Sequence, residues 1–188
     1  TSNHHLGSQL AMLAATLEMN AFKNAYQAQV VSNARAFAGA CAGQGIPVEG
    51  GEAEGYTHTH QVILRVKPFG DAKEIASRLE ANNIITNYQA LPRDETFYHP
   101  SGIRMGVQEM TRFGMKEKDF GMLARFLADV ILKKKNVSGE VADYRGRFTK
   151  MEYCLTLEQA ARIAPQLFES LFPGHDSFLG FADALKKL

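Results

Sequence analysis

The chain has 188 residues, an apolar fraction of 45%, a charged fraction of 22% and a formal net charge of +1. That length supports one sizeable core with appendages, and balanced charge with no basic stripe interleaved with aromatics argues against nucleic acid as a partner. The longest apolar runs are broken by Glu18, Asn20 and Lys23 and fall short of a membrane span, while Cys41 and Cys154 lack metal or redox spacing and read as reduced thiols of a cytoplasmic protein.

Apolar residues recur at Leu10, Leu13, Leu17, Phe22, Tyr26, Val30, Ala34 and Phe37. These spacings predict one long amphipathic helix from Gly7 to about Gly43, with a bend near Met19-Asn20, long enough to bridge two domains. The chain opens at Thr1-Ser2-Asn3 without an initiator Met. Helical periodicity is established by Leu10, a beginning that reads as a cut end with part of a longer protein missing. Gly43, Gly45 and Pro47 stop the helix, and a glycine-rich loop runs to Gly55.

A β-rich run, His60 to Val66, predicts the first strand, ended by Lys67-Pro68. Asp71 is placed to cap a helix through about Asn82, with Ile75 and Leu79 facing inward. Ile84-Ile85-Thr86 reads as a short second strand, residues 88–100 as irregular, and Ser101 to Val107 as a third strand. Lys116-Glu117-Lys118-Asp119 opens a further helix with Phe120, Leu123, Leu127 and Ile131 on one side, closed by Lys133-Lys134-Lys135. The order strand–helix–strand–strand–helix implies a small α/β layer. The pattern loosens at Asn136–Gly139, and two helical stretches follow, near residues 156–172 and 177–188.

Within the stretch HPSGIRMGVQEMTRFGM, Arg104 stands between Ile103 and Met105. A guanidinium on a strand with a buried face needs an anion, because an unpaired buried charge costs several kcal/mol. Two partners satisfy that need: a core Asp or Glu, or a substrate carboxylate gripped by the planar fork through two parallel hydrogen bonds. Gly102 and Gly106 favour a ligand, since they allow close approach to the backbone. His58 and His60, two apart, would share one face of a strand, but no third ligand stands nearby, so lining a polar cleft, or being satisfied by a backbone carbonyl, suits them better than a metal site. Thr111-Arg112 after Glu109 reads as a local capped turn tied by a surface ion pair. No G-x-S-x-G, Walker A or H-E-x-x-H motif occurs.

The run SGIRMGVQEMTRFGM, followed by an amphipathic helix ending in ADVI, resembles the C-terminal region of serine hydroxymethyltransferases. There a Ser-Gly-Ile-Arg-x-Gly run leads into Thr-x-x-Gly-Phe. AFKNAYQAQVVSNARAFAGA, THTHQVILRV and ANNIITNYQALPRD resemble further family segments in the same order, over roughly residues 5–132. The resemblance implies the small C-terminal domain of the aspartate-aminotransferase-like pyridoxal-phosphate fold, with a short, mainly antiparallel sheet packed on helices. Residues 1–37 would be the end of a large-domain loop and a long interdomain helix, 38–135 the small α/β domain, and 136–188 a helical extension.

By residue match, Arg104 would bind the α-carboxylate of an amino-acid substrate such as glycine or serine, orienting the Cα bond to be broken while the cofactor acts as electron sink. Thr1 and Ser2 would fall at a loop that contacts the cofactor phosphate of a neighbouring subunit, where the family has glycines. The resemblance also implies a homodimer or larger homo-oligomer. The Schiff-base lysine would lie in a missing N-terminal large domain, so these 188 residues alone are expected to be inactive. At Asn87-Tyr88-Gln89 the family commonly has Asn-Lys-Asn, in a segment associated with the co-substrate tetrahydrofolate. The lost lysine leaves room for a folate-independent relative acting on another amino acid. A non-catalytic α/β interaction domain, with Arg104 in a structural ion pair, is the alternative from a different class.

Overall fold

A computed structural model describes residues 5–171. Thr1, Ser2 and the helix expected near 177–188 lie outside the described residues. The elements are α1 (Leu6–Gly43), β1 (Gln61–Arg65), α2 (Ala72–Glu80), β2 (Asn87–Gln89), β3 (Gly102–Gly106), α3 (Gln108–Arg112), α4 (Glu117–Ile131), α5 (Ser138–Arg145) and α6 (Leu157–Leu171). They group into two compact units, one of Lys23–Glu152 and one of the residues up to Phe22 with those from Tyr153 onward. The expected boundaries at 37/38 and 135/136 do not coincide with these.

In the unit Lys23–Glu152, α1 presents Val30, Ala34, Phe37, Ala38 and Cys41 to the core, a helical stripe in which each residue is at most 7% exposed. Phe37 meets Phe120 of α4 with ring centroids 5.7 Å apart, so this half of α1 belongs to the small domain. Gly45 ends the helix in the left-handed conformation (φ +86°), which lets Ile46 N–H donate back to the Cys41 carbonyl at 3.0 Å. Asp71 caps α2 as its position predicts, accepting from Lys73 N at 2.8 Å and Glu74 N at 3.2 Å. Asp119 accepts from Lys116 N at 2.9 Å and so fixes the start of α4. Lys133 and Lys135, just past the end of α4, both pair with Asp129.

The sheet has the order β1-β3-β2 and is antiparallel throughout. Ile63 and Asn87 lie on either side of Arg104, and Leu64 and Tyr88 on either side of Ile103. Alternation along the strands sends Val62, Leu64, Ile103 and Met105 into one core with Ile75, Leu79, Leu127 and Ile131. The outer edge of β1 is closed by the 47–49 segment, with Glu49 N donating to Ile63 O and Arg65 N to Pro47 O, both at 2.8 Å.

The second strand pairs three residues later than the β-branched run predicts. Ile84 is only 4% exposed and fills the core after α2, while Ile85 is 84% exposed. The ladder is therefore made by the less β-prone Asn87-Tyr88-Gln89, because packing overrides propensity. Two helices are additional to the expected elements. α3 is a single short turn. α5 is tied down by Asn82 Oδ1 accepting from Val137 N at 2.6 Å and Asn83 Nδ2 donating to Ser138 O at 3.0 Å. Val137 and Val141 join the core, so residues 136–145 are part of the small α/β unit rather than an extension of it.

In the other unit, Leu155 N donates to Glu18 Oε1 at 3.1 Å. Leu13 and Leu17 of α1 and Ile163 and Leu167 of α6 line a shared apolar groove. Among the described residues no helix is long and apolar enough to cross a membrane.

Candidate functional site

Arg104 is the middle residue of the central strand, and its neighbours Ile103 and Met105 are 0% and 9% exposed. Period-two alternation turns the guanidinium to the opposite face, where it is half-buried beside Ile63 and Asn87. A strand that reads as buried thus has one core face and one face with polar side chains. The other arginine of that face, Arg65, is paired, its Nε 3.6 Å from Glu49 Oε1. Arg104 has no such partner: among the described residues no carboxylate lies within ion-pair distance of it. The structural ion pair left open by the sequence is therefore not made among the described residues.

Arg104 opens into a cleft of about 540 Å³ lined also by His60, Thr86, Asn87 and Gln108. Of the residues singled out from sequence, the structure brings together Arg104, His60 and Asn87 and leaves out His58. Residues 58–60 form bends ahead of β1, so the two histidines do not share a strand face. His58 instead holds Arg35, whose Nη2 lies 2.9 Å from its Nδ1. Among the described residues no three His, Cys, Asp or Glu side chains group as metal ligands.

Thr86 and Gln108 join the cleft without a sequence signal of their own. The Thr86 hydroxyl oxygen is buried and has no hydrogen-bond partner, a state that native interiors rarely tolerate unless a ligand or water completes it. Gly102 does not serve ligand approach. A Cβ there would meet Leu91 Cδ2 at 2.6 Å and Gln89 O at 3.0 Å, so its missing side chain lets β2 and its loop close on β3. Thr111 is not part of a surface turn: it is fully buried, donating to Val107 O at 2.7 Å and accepting from Asn33 Nδ2 at 2.8 Å.

The loop into β3 is held by Asp94. Its carboxylate accepts from Ser101 Oγ at 2.5 Å, Leu91 N at 2.8 Å and Ser101 N at 2.9 Å. The Ser101 hydroxyl first, then the Leu91 amide, hold this carboxyl below its ordinary range. This clasp fixes where β3 starts and hence where Arg104 stands.

The groups lining it are a guanidinium, the three amides of Gln61, Asn87 and Gln108, a hydroxyl and an imidazole, a set suited to a small carboxylate with polar substituents. The cleft lining contains no lysine and no acid. It offers no amine for a Schiff base and no carboxylate for a pyridine nitrogen, and so does not fit as the holder of pyridoxal phosphate.

The profile of the family described as serine hydroxymethyltransferase matches residues 2–127. The chain is 42% identical over 173 residues to the serine hydroxymethyltransferase of Pyrobaculum arsenaticum, covering 91% of this chain and 40% of that protein. It is 44% identical over 157 residues to that of Staphylothermus marinus, covering 81% and 36%. A match over 173 residues cannot end at residue 135, so the part beyond Asn136 also has a counterpart in these relatives. Among solved structures it resembles the L-threonine transaldolase of Pseudomonas fluorescens in its internal aldimine state. The TM-score is 0.66 and the identity 36%, covering 81% of this chain and 36% of that one. The chain thus spans about 40% or less of the length of the relatives it matches. Its antiparallel sheet packed on helices is the small-domain α/β fold of the aspartate-aminotransferase-like enzymes. Motif order, fold and profile converge: the chain belongs to the serine hydroxymethyltransferase family.

Proposed function

We propose that this chain is the substrate-carboxylate half of a pyridoxal-phosphate enzyme that makes or breaks the Cα–Cβ bond of glycine- and serine-type amino acids. The observation that carries the reading is the Arg104 guanidinium, which has no ion-pair partner among the described residues, is half-buried at the centre of the sheet and opens into a cleft of hydrogen-bonding groups. Its fork would take the α-carboxylate through two charge-assisted bonds, with Asn87 beside it on the next strand. Fixing the carboxylate fixes the direction of every bond at Cα, which is a positioning contribution to catalysis. The cofactor would be held by parts of the enzyme outside this cleft, in a cytoplasmic homodimer or larger homo-oligomer. The 188 residues alone would then be inactive, and Thr1 and Ser2 would lie toward the phosphate of a neighbouring subunit.

In the complete enzyme, Arg104→Ala should raise the amino-acid KM, corresponding to a loss of about 2–5 kcal/mol in binding, while cofactor absorbance stays unchanged. Unaltered amino-acid kinetics would overturn the assignment.

A second reading is favoured by Tyr88, which replaces the family's common lysine, and by the likeness to a threonine transaldolase. In that reading the enzyme is a folate-independent aldolase or transferase acting on another amino acid. Comparing turnover of serine and threonine with and without tetrahydrofolate separates the two. Folate-independent turnover of threonine alone supports the second.

A further inference from the structure

Gln108, the first residue of α3, folds its side chain back over Gly106. A Cβ built at Gly106 would meet the amide carbon and Nε2 at 3.1 Å, and Oε1 closer still. Gly106 is not left-handed, so its bareness serves space and not conformation. Residues two apart on a strand share a face. Arg104 and Gly106 are therefore neighbours about 7 Å apart along β3, and the Gln108 amide lies over the same face as the guanidinium, on the same cleft. The anchor is firm, since the Gln108 carbonyl accepts from Tyr26 Oη at 2.9 Å. The side-chain amide itself has no hydrogen-bond partner among the described residues.

We propose that Gln108 is a second contact for the amino acid held by Arg104, its Nε2–H donating to a carboxylate oxygen and so selecting one orientation of the carboxylate on the guanidinium. Gly106 is the residue that makes room for that contact. The inference rests on Arg104 as the carboxylate ligand.

The test is a titration of the complete enzyme, isotope-labelled at its arginine and glutamine side chains, with glycine, followed by NMR at the Arg104 Nε–H and the Gln108 side-chain amide. Both signals should move on one saturation curve. Gln108→Leu should weaken binding about tenfold, and Gln108→Glu, which sets a negative charge against the ligand, by more than that. Gly106→Ala should mimic Gln108→Leu, and the double variant should be no weaker than either single one, because both remove the same contact. If Gly106→Ala fails to fold, Gln108→Leu alone still decides the matter. Movement at Arg104 with a static Gln108 amide, or Gln108→Leu binding within about twofold of the parent, overturns the role of Gln108 and leaves Arg104 intact. Glycine binding that survives Arg104→Gln, or no response at Arg104, overturns the carboxylate reading itself.

Discussion

Asn33 of α1 donates its side-chain amide to Thr111 Oγ1 of α3 at 2.8 Å, and both residues are wholly shielded from solvent. The same amide also donates to Met115 O at 2.8 Å, while Thr111 donates onward to Val107 O. This network pins the segment after β3 against the long helix. Asn33→Ala would take a donor from the Met115 carbonyl and leave the Thr111 hydroxyl with its bond to Val107 alone, and should lower stability by about 1–3 kcal/mol, read from urea unfolding. A loss below about 0.5 kcal/mol would show that water replaces the amide at no cost.

Arg104 should behave in the opposite way. Having no ion-pair partner among the described residues, it contributes little to folding, and Arg104→Gln should leave the unfolding free energy within about 0.5 kcal/mol. Breaking a buried salt bridge would instead cost about 3–5 kcal/mol. The same denaturation experiment therefore separates a ligand-binding guanidinium from a structural one.

The Asp94 clasp gives a pH dependence. Its carboxyl is held below the ordinary value of 3.8, so the folded state binds this proton less readily than the unfolded chain does. Its contribution is complete above 3.8 and is lost as pH falls from there through the lower folded value. Amide exchange of Leu91 and Ser101 should rise over that window, and Asp94→Asn should remove the dependence. Exchange at these amides with the same pH profile in both proteins would contradict the clasp.

Gly102→Ala should be more damaging than a surface glycine change. The added methyl meets Leu91 Cδ2 and the Gln89 carbonyl, so β2 must shift from β3 at a cost of about 1–3 kcal/mol. Circular dichroism melting reports the loss, and an unchanged midpoint would place Leu91 elsewhere.

Cys41 is fully buried, and burial pushes its thiol up to about 12. Iodoacetamide should therefore modify it only as fast as the protein opens, a slow rate that added urea accelerates. Mass spectrometry of the Cys41 peptide measures this directly. Rapid labelling in buffer would mean that the α1 stripe is open to solvent.

Where the period was strong, sequence alone located the element. The α4 stripe, the Asp71 cap and the alternating β1 and β3 stand as their residues predict. β2 escaped because pairing partners, rather than the β-branched Ile84-Ile85-Thr86, decide where the ladder forms. α5 escaped because it is held by Asn82 and Asn83, distant in sequence, and not by a pattern of its own. Arg104 was legible as a charge out of place. Its cleft was only partly so: His60 and Asn87 could be picked out as candidates, whereas Thr86 and Gln108 reach it through loop and strand geometry that no local pattern encodes.

One consequence follows from the alternation on β3. A slip of a single residue against its neighbours would drive the guanidinium into the oil of the interior and expel Met105 into water. Folding and the placing of Arg104 on the cleft are thus settled by one and the same choice. An insertion or deletion between Leu91 and Ser101 that broke the Asp94 clasp would unfasten the point from which that choice is counted.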